Sequence, residues 1–288
     1  MKVLIVGRGG REHALCEKVK SSPLVQEVWV APGNIGMETV AKRLPFAECE
    51  QQRLVDFAHR RGIDLVLIGP EQPLIEGLAD RFNEAQIRVF APSKSAAVIE
   101  GSKSFAKELM LKYGIPTARY QAFTDYDLAK SYLDTCPIPV VIKADGLAAG
   151  KGVVVAQSRL EAEEALQEML IIKRFGNASA TVIIEEYMEG EEFSLMALVH
   201  NDVVVPLDVA QDHKRAFDGD FGPNTGGMGA YSPLPQISCE LVQSCVKTII
   251  EPTVQALLNE GIAFTGVLYA GIMLTAEGPK VIEFNARF

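Results

Sequence analysis

The first hundred residues repeat one pattern: a short apolar run rich in β-branched residues, closed by Gly or Pro, then an amphipathic stretch. The runs are KVLIVG (2–7), EVWVAPG (27–33), DLVLIGP (64–70) and RVFAP (88–92). Helical patterns separate them at REHALCEKVK, EQQRLVDFAHRRG and PLIEGLADRFNEA. Strands joined through helices need crossover connections, so the spacing predicts a mostly parallel sheet covered on both faces. Ligands of such sheets lie at the carboxyl ends of the strands, where Gly and Pro gather in this chain.

From Ser93 to Tyr113 the pattern is helical, with Gly114 as C-cap and Pro116 as terminator. A smaller unit follows: ARYQAFT, a helix opening at Asp125, PVVIKAD, a glycine loop, VVVA, a helix over 158–170, then TVIIEEYM. The shortness of the glycine loop favours antiparallel pairing of its two strands. Past Gly190 come the strands FSLMALVH and VVVPLDVAQ and a long loop, DHKRAFDGDFGPNTGGMGAYSPLP. A helix from Cys239 to Asn259 is next, which Pro252 should kink, then two strands in TGVLYAGIMLT and PKVIEFNARF. The expected fold is therefore α/β and α+β. A Rossmann-like unit occupies 1–102, a lid lobe 121–189, and a core lobe 103–120 with 190–288.

A chain of 288 residues, 48 % apolar and 23 % charged, is sized for more than one subdomain of a soluble globular protein. A net charge of -9 argues against broad nucleic-acid binding, which needs a basic face. A few lysines can still make one cleft receptive to an anion. The five cysteines are odd in number and form no C-x-x-C pair, which suits reduced thiols in a cytoplasmic protein. The apolar run at the start is too short for a signal sequence, and no stretch approaches membrane-spanning length.

Four segments could carry chemistry. In GRGGREHA, Gly7, Gly9 and Gly10 follow the first strand and open a helix, a natural anion site or a structural turn only. Glu12 stands where a dinucleotide fingerprint needs glycine, and its carboxylate would oppose a pyrophosphate. In KADGLAAGKGV, Lys143 ends an apolar strand beside a loop holding Gly146, Gly150, Lys151 and Gly152. Its spacing does not fit a Walker loop, yet lysine with close-approaching backbone N–H groups suits phosphate. In VIIEEYMEGEEFS, Glu185, Glu186 and Glu192 make either a solvated acidic turn or a site for adenine and ribose, with Tyr187 and Met188 offering backbone groups to the ring edge. In KVIEFNARF, Glu283, Asn285 and Arg287 alternate along one strand, so they share a face, with Val281 on it and Ile282 and Phe284 turned inward. A carboxylate and an amide oxygen so spaced suit Mg²⁺, which takes one or two protein oxygens plus phosphates and waters.

Taken in order, GRGGREHA, IGPEQPL, GSKSFAK, KADGLAAGKGV, EEYMEGEEFS, QDHKR…GPNTGGMGAYSP and EFNARF closely resemble the phosphoribosylamine–glycine ligase (glycinamide ribonucleotide synthetase) family of the ATP-grasp superfamily. The resemblance covers essentially the whole chain. It implies a Rossmann-like domain and a two-lobed ATP-grasp domain with ATP between the lobes. Lys103 and Lys143 would reach the phosphates beneath the 146–152 flap. Glu185 to Met188 would hold adenine, and Glu192 the ribose. Glu283 and Asn285 would bind Mg²⁺ (or Mn²⁺), with Arg287 aiding catalysis or holding a carboxylate. Gly9, Gly10 and Glu71 would hold the phosphoribosyl part, and Asp212, His213 and Lys214 the glycine side. The implied reaction joins glycine to 5-phosphoribosylamine through glycyl phosphate, in purine biosynthesis, with small molecules as the only partners. No nucleic acid or membrane is involved, and a cytoplasmic monomer is expected.

Members of that family continue past EFNARF with Gly-Asp-Pro-Glu and further core structure, so the ATP-grasp domain is expected to be incomplete at its C-terminus. A chain of this length is accordingly expected to be unstable or weakly active alone. Three other readings are another ATP-grasp carboxylate–amine ligase, a nucleotide-binding module without catalysis, and a dinucleotide oxidoreductase. The GPNTGGMGAYSP segment opposes the first and Glu12 the last.

Overall fold

Successive residues of the first strand enter opposite cores, which fixes a two-faced sheet. Leu4 and Val6 pack with Leu54, Phe57 and Phe82, whereas Val3 and Ile5 pack with Cys16, Val28 and Met37. In the computed structural model this sheet comprises β1 (Lys2–Gly7), β2 (Glu27–Pro32), β3 (Lys42–Arg43), β4 (Leu65–Ile68) and β5 (Val89–Phe90). The order is β3-β2-β1-β4-β5 and every pair is parallel. The structure describes all residues except 149–151 and 220, and not the side chains at 177, 215, 221, 223, 224 and 226.

The helical stretch after β5 is two helices, Lys94–Gly101 and Lys103–Tyr113, broken at Ser102, whose backbone is extended. The break has a cause. Ser102 Oγ accepts from Phe105 N–H, Lys103 N–H donates to Asp145 O at 3.1 Å, and Ser104 N–H donates to the Asp145 carboxylate at 2.6 Å. A residue after the KAD strand thus caps the second helix and fixes Lys103 at its first turn. Gly114 ends that helix with φ +69°.

The next sheet is antiparallel throughout, in the order β6-β9-β7-β8, from β6 (Tyr120–Phe123), β7 (Val140–Ala144), β8 (Val153–Ala156) and β9 (Val182–Glu186). Helices Tyr126–Leu133, capped by Asp125, and Arg159–Leu166, capped by Ser158, pack with Val140, Ile142 and Ile184 into its own core. The third sheet, β11-β10-β14-β15, contains β10 (Glu191–His200), β11 (Val203–Pro206), β14 (Thr265–Thr275) and β15 (Gly278–Arg287). The segment expected to be a long loop is instead a hairpin, β12 (Gln211–Phe217) with β13 (Phe221–Tyr231). Its glycines suit turns, but its backbone groups pair with one another across the hairpin. The helical stretch from Cys239 to Asn259 widens into a π-turn at Val246–Ile250, just before Pro252. Loss of the proline N–H and the bulk of its ring disturb the ladder on that side.

One expectation about β15 fails. Val281 does not share the face of Glu283: it is fully buried with Phe284 and Ala286 in the core. A bulge is responsible, because Gly271 pairs with Glu283 and Ile272 with Val281, leaving Ile282 as an extra residue. The bulge resets the alternation and turns Ile282 toward the gap between the sheets. Among the described residues no helix is long and apolar enough to cross a membrane.

Candidate active site

The carboxyl end of β7 and the bulged segment of β15 meet at a cavity of about 210 Å³. Its walls include Lys103, Lys107, Gly152, Glu185, Glu283, Asn285 and Arg287, with Glu71 and Glu100 contributed by the N-terminal part. Lys143 is 4 % exposed and lies behind this wall. Its ammonium donates to Glu185 Oε2 at 2.8 Å and to the carbonyl of the bulge residue Ile282 at 3.3 Å. Lys103 donates to Ala144 O at 3.0 Å and Gly146 O at 3.2 Å, so it clasps the start of the glycine loop. Burial pushes the Lys103 ammonium below the usual lysine value, against the pull of the nearby Glu283 charge.

The loop's glycines are used for packing as well as freedom. A Cβ on Gly146 would meet Ala178 at 2.9 Å, and one on Gly152 would meet Ala148 Cβ at 2.6 Å. Gly150 and Lys151 lie outside the described residues.

The sequence reading puts both Glu185 and Glu186 beside adenine, yet their side chains do not lie together. Neighbours in β9 face opposite sides. Glu185, 2 % exposed, turns into the lysines, whereas Glu186 accepts from Arg119 N–H at 3.0 Å and Arg119 Nε at 2.6 Å, with Lys280 at 3.7 Å. Tyr187 is exposed and Met188 half-buried in the link to β10. Glu192 is ion-paired with Lys214, which also lies 3.8 Å from Asp212 Oδ1. Although burial opposes it, the Glu192 carboxylate beside Lys214 raises that ammonium well above the lysine range. His213 stacks on Tyr231 at 5.7 Å between centroids, across the hairpin. None of Glu186, Glu192, Asp212, His213 or Lys214 is in the cavity wall.

On β15, Arg287 is ion-paired with Glu100, and its other terminal nitrogen donates to Asn285 Oδ1 at 3.1 Å. Glu100 also accepts from Ala286 N–H at 2.8 Å, so the helix before the lid fixes the final strand. Burial pushes the Glu100 carboxyl upward, and Arg287 opposes the shift. The Glu283 side chain makes no hydrogen bond or ion pair among the described residues, which leaves its carboxylate available on the wall. Also among the described residues, no cluster of three or more His, Cys, Asp or Glu could hold a metal unaided. Glu283 and Asn285 fit a hard cation that brings its remaining oxygens from phosphate and water. Charge points the same way. Lys103, Lys107, Lys143 and Arg287 are balanced around the cavity by Glu71, Glu100, Glu185 and Glu283, so a triphosphate would need further positive charge.

The N-terminal glycine turn is differently filled. Glu12 is 5 % exposed and its Oε2 accepts from Gly9 N–H at 2.7 Å. Its chain lies against Gly7, where a Cβ would meet Glu12 Cγ at 2.5 Å, and against Gly69, where a Cβ would collide with the carboxylate. Gly10 opens the helix Gly10–Lys20, and Glu71 opens Glu71–Ile75.

Sequence reasoning missed Lys107, Glu100 and Asp145. A signal existed for the first: Lys107 follows Lys103 by one helical turn and therefore shares its face.

Two α+β lobes closing on lysines from one side and oxygen donors from the last strand define an ATP-grasp fold, the class to which carboxylate–amine ligases belong. The family models for the phosphoribosylglycinamide synthetase N domain and ATP-grasp (A) domain match residues 1–100 and 101–288. A phosphoribosylamine–glycine ligase of Halalkalibacterium halodurans is 57 % identical over 288 residues, covering 100 % of this chain and 67 % of that protein. One of Listeria innocua is 54 % identical over 289 residues, covering 100 % of this chain and 69 % of its own. The crystal structure of the Thermotoga maritima phosphoribosylamine–glycine ligase superposes with a TM-score of 0.84 at 33 % identity, covering 100 % of this chain and 69 % of that one. The chain belongs to the phosphoribosylglycinamide synthetase family.

Proposed function

We propose that the chain ligates glycine to 5-phosphoribosylamine using ATP, giving glycinamide ribonucleotide, ADP and phosphate in purine biosynthesis. The observation that carries this reading is the single cavity lined by Lys103, Gly152, Glu283, Asn285 and Arg287, residues far apart in sequence. The chain's match to its relatives along its whole length names the substrates.

The clamp in this reading has residues 121–189 as lid and 103–120 with 190–288 as floor. ATP lies between them, with Lys103 and Lys143 on its phosphates and Gly146 and Gly152 beside them. Backbone groups of 186–188 serve the adenine edge and Glu192 the ribose. A divalent ion, Mg²⁺ or Mn²⁺, held by Glu283 and Asn285 would supply the charge that a triphosphate needs. Gly9, Gly10 and Glu71 hold the phosphoribosyl part, and Asp212, His213 and Lys214 the glycine side. The protein acts as a monomer in the cytoplasm, with no partner beyond these small molecules.

The chemistry follows from leaving groups. A glycine carboxylate oxygen attacks the γ-phosphorus, the bond to ADP breaks, and glycyl phosphate forms. The amine nitrogen of phosphoribosylamine then attacks the carbonyl carbon, phosphate departs, and the nitrogen loses a proton to give the amide. Lys103, Lys143 and Arg287 position the reacting groups and stabilise their charge. The closed flap excludes water that would hydrolyse the acyl phosphate. The test is ADP release by the chain with glycine and phosphoribosylamine together and with each omitted. Dependence on both is expected; equal release without either substrate contradicts the reading.

A further inference from the structure

Three lysines surround the cavity, and counting their donors separates their tasks. Lys107 is 2 % exposed and donates to Thr117 Oγ1 at 2.8 Å and Ala118 O at 3.4 Å, with Glu185 Oε2 at 3.2 Å. Two hydrogen bonds and this ion pair engage its ammonium on three sides. Its ammonium also lies 5.6 Å from the centre of the Tyr120 ring. Lys107 has nothing left to offer a ligand. Lys143, by contrast, holds two partners, Glu185 and the Ile282 carbonyl. Both lysines converge on one oxygen of Glu185, while its Oε1 is buried without a hydrogen-bond partner.

This arrangement matters when Lys143 turns toward a phosphate. A buried carboxylate stripped of its counter-ion costs several kcal/mol. That cost would hold Lys143 in place unless a second cation stayed behind. We infer that Lys107 is that cation: a positioning residue that keeps Glu185 compensated and so releases Lys143 to the nucleotide. The same residue braces the other wall, because Thr117 Oγ1 donates in turn to Val281 O at 2.7 Å, at the edge of the bulge that presents Ile282. The inference rests on the nucleotide site proposed above and assigns a role to a residue that does not touch ATP.

The experiment titrates MgATP into the full chain as wild type, K107M and K107M/E185Q, with thermal melts of each. K107M should bind about 30-fold more weakly, since Glu185 then holds Lys143 alone. The double variant should return to within about fivefold of wild type, because an amide needs no counter-ion. A purely structural role for Lys107 would give no such recovery. Wild-type affinity in K107M, or a double variant as weak as K107M, overturns the inference. Should K107M not fold, the double variant decides by itself: near-wild-type affinity supports the inference and weak binding overturns it. Absence of MgATP binding by the wild type would overturn the proposed nucleotide site as well, which separates the two failures.

Discussion

Two of the glycine turns that follow strands in this molecule, those after β1 and β7, are filled in opposite ways. After β1, the place an anion would take against Gly9 N–H holds the chain's own Glu12 carboxylate, wedged between Gly7 and Gly69. After β7, Lys103 clasps the loop carbonyls and Lys143 stands behind, held by Glu185. At the first turn Glu12 already takes the Gly9 N–H, so the phosphoribosyl part proposed there would meet the turn's remaining groups, whereas the second turn is flanked by Lys103 and Lys143. Glycine spacing describes a backbone able to approach an anion, but the surrounding side chains decide whether an outside anion is needed.

The comparison is most exposed to substitution at Lys143. K143M should weaken MgATP binding about a hundredfold or more, on the scale of truncating one member of a buried charge pair, in calorimetric titration. A loss of less than about threefold would place the phosphates elsewhere. Gly69→Ala should lower stability by about 1–3 kcal/mol in denaturant melts, because its Cβ meets the Glu12 carboxylate. Combined with Glu12→Ala it should cost less than the two single changes added, since the collision is then gone. Strict additivity would show that Glu12 does not fill the turn.

A smaller effect tests the lysine cluster through pH. Burial pushes Lys107 down to about 8 from 10.5. Between those values the unfolded chain binds more protons than the folded one, so stability rises with pH. Wild type should therefore gain on K107M as pH is raised from 8 to 10.5, by up to ~1.4 kcal/mol per pH unit. A constant difference would mean that Lys107 titrates normally. The smallest effect is expected at Arg119, whose guanidinium meets Glu186 on the outer side of β9. Arg119→Ala should change MgATP affinity by less than about twofold.

Much of this was legible in the chain. The continuous apolar run in KVLIVG, caps at Asp125 and Ser158, and the stop at Gly114 act within a few residues, where sequence patterns are decided. The hairpin at 211–231 was not legible, because GPNTGGMG lacks the alternation that a half-buried strand shows. Nor was the bulge at Ile282, which depends on how β15 registers against β14. Glu283, Asn285 and Arg287 could be singled out by residue type and spacing, and Lys103 through the resemblance carried by GSKSFAK. The partners of Lys107 and Arg287 could not, since Glu185 and Glu100 reach them only through tertiary packing.

The most direct test of the central claim is a crystal structure of this chain with Mg²⁺ and a non-hydrolysable ATP analogue. The account predicts phosphate oxygens within hydrogen-bonding distance of Lys103 and Lys143, and the cation on Glu283 and Asn285. A triphosphate seated at the Gly7–Gly10 turn, with Glu12 displaced and the cavity between the lobes empty, would contradict it.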